Sequence, residues 1–139
     1  MRVILHDYKA HKSSHLDVPQ ELIQRIAYSI EDYIAYTECE RGTNWLEIEE
    51  NIAIDGMGID FTCLLQFDCS PNFFVDKGDY ETPSNYRAWY EIEDMWLEFE
   101  NVVAYSQDGE EYEATMTGAS ELVKTIRKEI TVADYDYWG

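Results

Sequence analysis

Positive charge is nearly missing from the middle of this chain. Between residues 42 and 117 only Lys77 and Arg87 are basic, against 18 carboxylates. Over all 139 residues, ten Lys and Arg face 29 Asp and Glu, a formal net charge of -19. That shortage removes the electrostatic term that holds proteins on phosphate backbones, and it sets the chain against anionic lipid. Direct nucleic-acid binding and membrane-surface binding are therefore not expected, while a basic protein or a cation is attracted.

Long apolar runs are also lacking. No stretch approaches the roughly 20 residues of a membrane span. Asp7, Lys9 and Lys12 interrupt the N-terminal region too early for a secretory h-region. Cysteine is scarce: Cys39, Cys63 and Cys69 form no CxxC pair and leave an odd count. A cytoplasmic location with free thiols is the expectation.

What is present suffices for a core. Hydrophobic residues make up 45% and aromatics 14%, enough apolar surface to offset chain entropy. The length fits a single domain spanning 1–139, large enough to bury roughly two-thirds of the unfolded chain's surface. Residues 1–16 read as an edge strand (Arg2 to Tyr8) or flexible arm, and 131–139 as a tail.

Two stretches have helical periodicity. In 17–38, Leu22, Ile23, Ile26, Ala27, Ile30, Tyr33 and Ile34 form an apolar stripe, with Asp17 and Gln20 at capping-box spacing. In 119–130, Leu122, Val123, Ile126 and Ile130 form a second stripe after Ser120, a candidate N-cap, and Lys124, Arg127 and Lys128 make this the one basic element.

Between them the period is two. Around Asp55-Gly56, a two-residue hairpin signal, Leu46, Ile48, Ile52 and Ile54 meet Leu65, Cys63, Ile59 and Met57 on one face. A one-residue slip would scatter them. Asp108-Gly109 gives a second such turn, setting Tyr105 opposite Tyr112 and Val103 opposite Ala114. In "WYEIEDMWLEFE" (89–100) the apolar face switches at Glu93-Asp94, which predicts a β-bulge or bend between a strand from about 86 to 93 and another from 95 to 105. Residues 68–86 lack a pattern and read as a long loop. The expected fold is α+β: a two-layer sandwich in which an antiparallel sheet of four to five strands carries an N-terminal and a C-terminal helix on one face.

The other face then collects Glu47, Glu49, Asp60, Glu91, Glu93, Glu98, Glu100, Glu111 and Glu113, with Trp45 and Trp96 among them. Same-face neighbours on a strand lie roughly 6.5–7 Å apart, close to the spacing of successive phosphates along a nucleic-acid strand. A solvated antiparallel face is polar by default, and acids favour solubility. The one-sided clustering with aromatics is what points to binding.

Other constellations carry less. His6, His11 and His15 match no structural zinc spacing and read as surface histidines. The stretches 76–79 and 134–139 resemble fragments of calcium loops without the twelve-residue ligand pattern. Pairs such as Glu98/Glu100 or Glu111/Glu113 stand on an open face rather than flanking a cleft, as glycoside hydrolysis requires. Cys63 falls on the buried face, and no histidine neighbours a cysteine in sequence. The expectation is a non-enzymatic interaction protein with no catalytic residues, metal or cofactor. Its acidic face would bind a basic protein, as a nucleic-acid mimic or an immunity-type inhibitor. The alternatives are an enzyme or ligand-binding domain with a pocket beside 68–86, and a homodimer that buries Trp45 and Trp96.

Overall fold

The computed structural model describes residues 1–76 and 85–132. Their architecture is mixed α+β, with two helices and a seven-stranded antiparallel sheet. The elements are β1 (Arg2–Asp7), β2 (Lys12–Asp17), α1 (Gln20–Tyr36), β3 (Gly42–Ile54), β4 (Met57–Asp76), β5 (Asn85–Tyr105), β6 (Glu111–Thr117), α2 (Ala119–Thr125) and β7 (Glu129–Thr131). Strand order is β2-β1-β6-β5-β4-β3, and β7 pairs with β5.

The β3–β4 hairpin has the expected register. Asp55 and Gly56 have φ of 49° and 80°, the left-handed pair a type I′ turn needs. Ile54 pairs with Met57, Ile52 with Ile59, Ile48 with Cys63 and Leu46 with Leu65. Glu50 shares the inner parity and is half-buried, where it accepts a hydrogen bond from the Ser29 hydroxyl of α1. Because β3 is an edge strand, this inward carboxylate guards the edge against pairing with another chain.

β5 corrects the expectation of two separate strands. It is continuous, with one extra residue where Gln66 pairs with Trp96 but Asp68 pairs with Glu93. Asp94, at φ 50°, is the bulged position. A second bulge, which the sequence reading lacks, sits at Asn101 (φ 53°), between the pairs Thr62–Glu100 and Asp60–Val103. Each bulge resets parity, so Tyr90, Ile92, Met95, Leu97, Phe99, Val102 and Ala104 all reach the core.

The Asp108-Gly109 turn also differs. Ser106 N–H donates to the Glu110 carbonyl and Gly109 N–H to that of Ser106, at 2.9 and 3.0 Å. Gly109, at φ 83°, closes a three-residue loop rather than a two-residue one. The ladder moves by one: Tyr105 pairs with Glu111, Ala104 with Tyr112 and Val103 with Glu113. The shift at this turn and the bulge at Asn101 cancel, so Glu111 and Glu113 still share a face with Glu98 and Glu100.

Seven strands replace the expected four to five. Residues 12–17 are β2 rather than a loop, which places β1 inside the sheet between β2 and β6. The patternless stretch 68–86 is largely ladder: β4 runs to Asp76 and β5 starts at Asn85, with Asn72 opposite Trp89 and Phe73 opposite Ala88. Backbone pairing needs no side-chain alternation where both faces are partly wet. The 119–130 helix ends at Thr125. Beyond it the Ile92 N–H donates to the Lys128 carbonyl at 2.7 Å, and 129–131 joins β5 as β7.

α1 begins after Pro19 rather than Asp17. Asp17 instead ends β2, where its carboxylate accepts from Arg2 Nε at 3.0 Å. Gly118, at φ 95°, takes the N-cap of α2 in place of Ser120. The stripe Ile23, Ile26, Ala27, Ile30 and Ile34 is buried, but Tyr33 is exposed and Glu31 is buried in its place. The Glu31 carboxylate accepts the Arg127 backbone N–H at 2.9 Å, so its burial is compensated.

These stripes and the inner faces of β3, β4 and β5 form one core cluster, with Leu122 and Ile126 from the α2 region. Cys63 lies at its centre, 0% exposed. Burial, with the Glu50 charge nearby, pushes its thiol from 9.0 up to about 12. Because the folded value is the higher one, this contribution to stability is complete below pH 9 and is lost as pH rises toward 12. Urea midpoints should therefore fall across that window, and Cys63→Ala should fall less steeply. An equal slope in both proteins would contradict the assignment.

Candidate functional site

The outer sheet face is set by the pleat of β3, β4 and β5. Successive rows across these strands are Trp45–Gln66–Trp96, Glu47–Leu64–Glu98 and Glu49–Thr62–Glu100. Two glutamate ladders thus flank an uncharged stretch of β4, residues 62–66. Neighbouring strands lie about 4.8 Å apart, so the ladders are separated by roughly 10 Å, and glutamates within a ladder by about 7 Å. Within these three rows like charges do not sit directly opposite one another, which lowers the cost of their clustering, whereas in the row beyond Trp96 Asp68 faces Glu93. The neutral strip of Thr62, Leu64 and Gln66 is a part of the site that sequence reasoning missed. Its signal was there, in three uncharged residues at the outer parity of β4.

The next row crosses almost the whole sheet: Asn51, Asp60, Val103, Glu113, His6 and Ser13. Here the acids have partners. Asn51 Nδ2 donates to Asp60. The Glu113 carboxylate beside Tyr8 holds its phenol above the ordinary value. Tyr105 is raised too, by burial and by the charges of Glu111 and Asp60. Toward the other end, Glu91 accepts from Trp89 Nε1 at 3.4 Å, and Arg87 stacks over Trp89 at 4.8 Å while pairing with Glu129.

The sequence-predicted residues therefore divide. All lie on the outer face, but Asp60, Glu91, Glu111 and Glu113 interact with neighbouring side chains. No side-chain hydrogen bond or ion pair among the described residues involves Glu47, Glu49, Glu93, Glu98 or Glu100. Trp45 and Trp96 stand on either side of Gln66, 67% and 49% exposed, too wet for core residues. Phe73 and Phe74 are exposed as well, on the stretch of β4 that extends past its last pair with β3, Cys69–Gly42.

The histidines do not converge. His6 stacks on Tyr8 with ring centroids 6.1 Å apart, His15 pairs with Ile4, and His11 sits in the β1–β2 turn. No group of three metal-ligating side chains occurs among the described residues. Of the calcium-like stretches 76–79 and 134–139 only Asp76, the last residue of β4, is among those residues; the rest lie outside them, as does any tail covering the tryptophans. An open cavity of about 630 Å³ is lined by residues 6–9 and 110–113, at the β1–β6 end and away from 68–86. No helix among the described residues is long and apolar enough to cross a membrane. The chain matches no protein-family model, no curated protein and no solved structure.

Proposed function

We propose that the chain is a non-enzymatic interaction protein whose outer sheet face docks a basic protein surface. The observation that carries this is the pair of glutamate ladders whose side chains have no hydrogen-bond or ion-pair partner among the described residues, ending in two exposed tryptophans. In this reading both helices cover the opposite face, which leaves the acidic one free. Cationic side chains of the partner reach the ladders on either side of β4. Its apolar atoms meet Leu64, Trp45 and Trp96, where aromatic anchors supply most of the binding energy. Carboxylates spaced by about 7 Å along a strand suit a protein built to hold phosphates, so a nucleic-acid-binding protein or a nuclease-like toxin is the partner class. The chain would act as a mimic or as an immunity-type inhibitor, in the compartment where that partner works. Self-association through the same face is disfavoured, because it would oppose two surfaces of a molecule with net charge -19.

Capture from a lysate of the source cells tests this. Columns carrying the wild-type chain and Glu98→Lys/Glu100→Lys are loaded at low salt and eluted with a salt gradient. A basic protein held by the wild type alone, and released by salt, is the expected result. If no protein distinguishes the two columns, the face is a solubility device and the proposal fails.

A further inference from the structure

Two of the three cysteines share one corner of the core. Cys39 follows α1, and Cys69 stands on β4 opposite Gly42, the first residue of β3. Both are buried in the same core cluster, where the Cys39 Sγ donates to the Ile34 carbonyl at 3.8 Å and Tyr90, two residues along β5 from the partner of Cys69, reaches the Cys39 backbone; each thiol also shifts the titration of the other. The segment holding Cys39 is tied down from below by Tyr90 of β5. The phenol donates to the Thr37 carbonyl at 3.0 Å and accepts the Cys39 N–H at 3.3 Å. Cys63 lies six residues along β4 from Cys69, roughly 20 Å away, and Glu50 rather than a thiol is its charged neighbour. The sequence gives no hint of the pairing, since thirty positions separate the two partners.

We propose that Cys39 and Cys69 are a disulfide-forming pair, a modification site that ties the end of α1 to β4 when a low-molecular-weight disulfide is present. The chemistry balances with such a disulfide as oxidant. The Cys69 thiolate attacks one sulfur of oxidised glutathione, breaks its S–S bond and releases one glutathione thiolate. The Cys39 thiolate then attacks the Cys69 sulfur of the mixed disulfide and releases the second. Two protein thiols are oxidised, one disulfide is reduced, and the two thiol protons finish on glutathione. Cys69 is the natural first nucleophile. Burial raises both thiols, Cys39 to about 12, but in Cys69 the Cys39 S–H and the Arg41 charge oppose that rise. In the closed structure burial keeps both unreactive, so the bond forms as the chain folds or when the α1–β3 connection opens.

The full chain is refolded from denaturant in a glutathione buffer rich in the oxidised form. Free thiols are then blocked with iodoacetamide and the peptides mapped. The expected product is monomeric, with Cys39 linked to Cys69 and Cys63 alkylated. Cys63→Ser retains the link, and Cys69→Ser abolishes it. The linked protein melts on the order of 10 °C above the reduced one, because the bond closes a long loop in the unfolded chain. Folded protein in which Cys39 and Cys69 are separately alkylated or glutathionylated would overturn the proposal. So would links involving Cys63, or a linked form that melts below the reduced one.

Discussion

Glu98→Lys/Glu100→Lys should slow association with the proposed basic partner by about 10–100-fold at low salt, because in that reading the field over the ladders steers encounter. The slope of on-rate against ionic strength should flatten, and the dissociation rate should change less. Trp96→Ala should do the opposite, leaving the on-rate intact and speeding release, since an exposed aromatic contributes after docking rather than before it. Stopped-flow or surface-based kinetics at several salt concentrations separate the two. An on-rate unchanged by the double reversal would contradict electrostatic steering by this face.

Deletion of Asp94 should unfold the protein, whereas Asp94→Gly should be tolerated. The bulge supplies the one extra residue that lets both halves of β5 present apolar side chains to the same core. Without it, Tyr90 and Ile92 turn outward and Glu91 and Glu93 turn in. Losing two such side chains from the core costs roughly 3–6 kcal/mol, before the expense of burying unpaired carboxylates. That is a large part of the roughly 5–15 kcal/mol that holds a domain folded. Glycine at the same position keeps the count and relaxes the φ of 50°, so it should be neutral or stabilising by up to about 1 kcal/mol. Urea unfolding followed by circular dichroism reads both. A cooperatively folded deletion variant would show that the register is not fixed by this residue.

The contrast between those variants also marks what was legible from sequence. The switch of parity at Glu93-Asp94 could be read because apolar residues flank it on both sides. The switch at Asn101 could not, because Val102 and Val103 are both apolar and either satisfies an alternating pattern. Asp55-Gly56 and Asp108-Gly109 look alike, yet the first closes a two-residue turn and the second belongs to a three-residue loop. In the first hairpin the apolar pairs on both sides fix the register. In the second, Tyr105 and Tyr112 match in either register, and Ala104 decides by filling the core.

β2 was illegible because "KSSHLD" has only Leu16 to bury; its place comes from pairing with β1, which itself pairs with the distant β6. The end of α2 was misread because Ile126 and Ile130 suit a helix stripe as well as a strand, and the ladder with β5 decides between them. The composition of the acidic face was legible residue by residue. Which of its carboxylates have partners was legible only for Asp60, which the β3–β4 register sets opposite Asn51; Tyr8 and Tyr105 reach the others across pairings that sequence order hides.

The central claim is that the glutamate ladders are not compensated among the described residues, and the proposal is that their charge serves something other than folding. The most direct test is urea unfolding of the wild type and of a variant with Glu47, Glu49, Glu98 and Glu100 all changed to Gln. Each is measured at low ionic strength and at about 1 M salt, where screening shortens to roughly 3 Å. The account predicts a variant at least as stable as the wild type at low salt, by up to about 1 kcal/mol. It also predicts a wild type that gains stability with salt while the variant gains less. A variant less stable than the wild type at low salt would show that these glutamates hold the fold together, and would contradict the account.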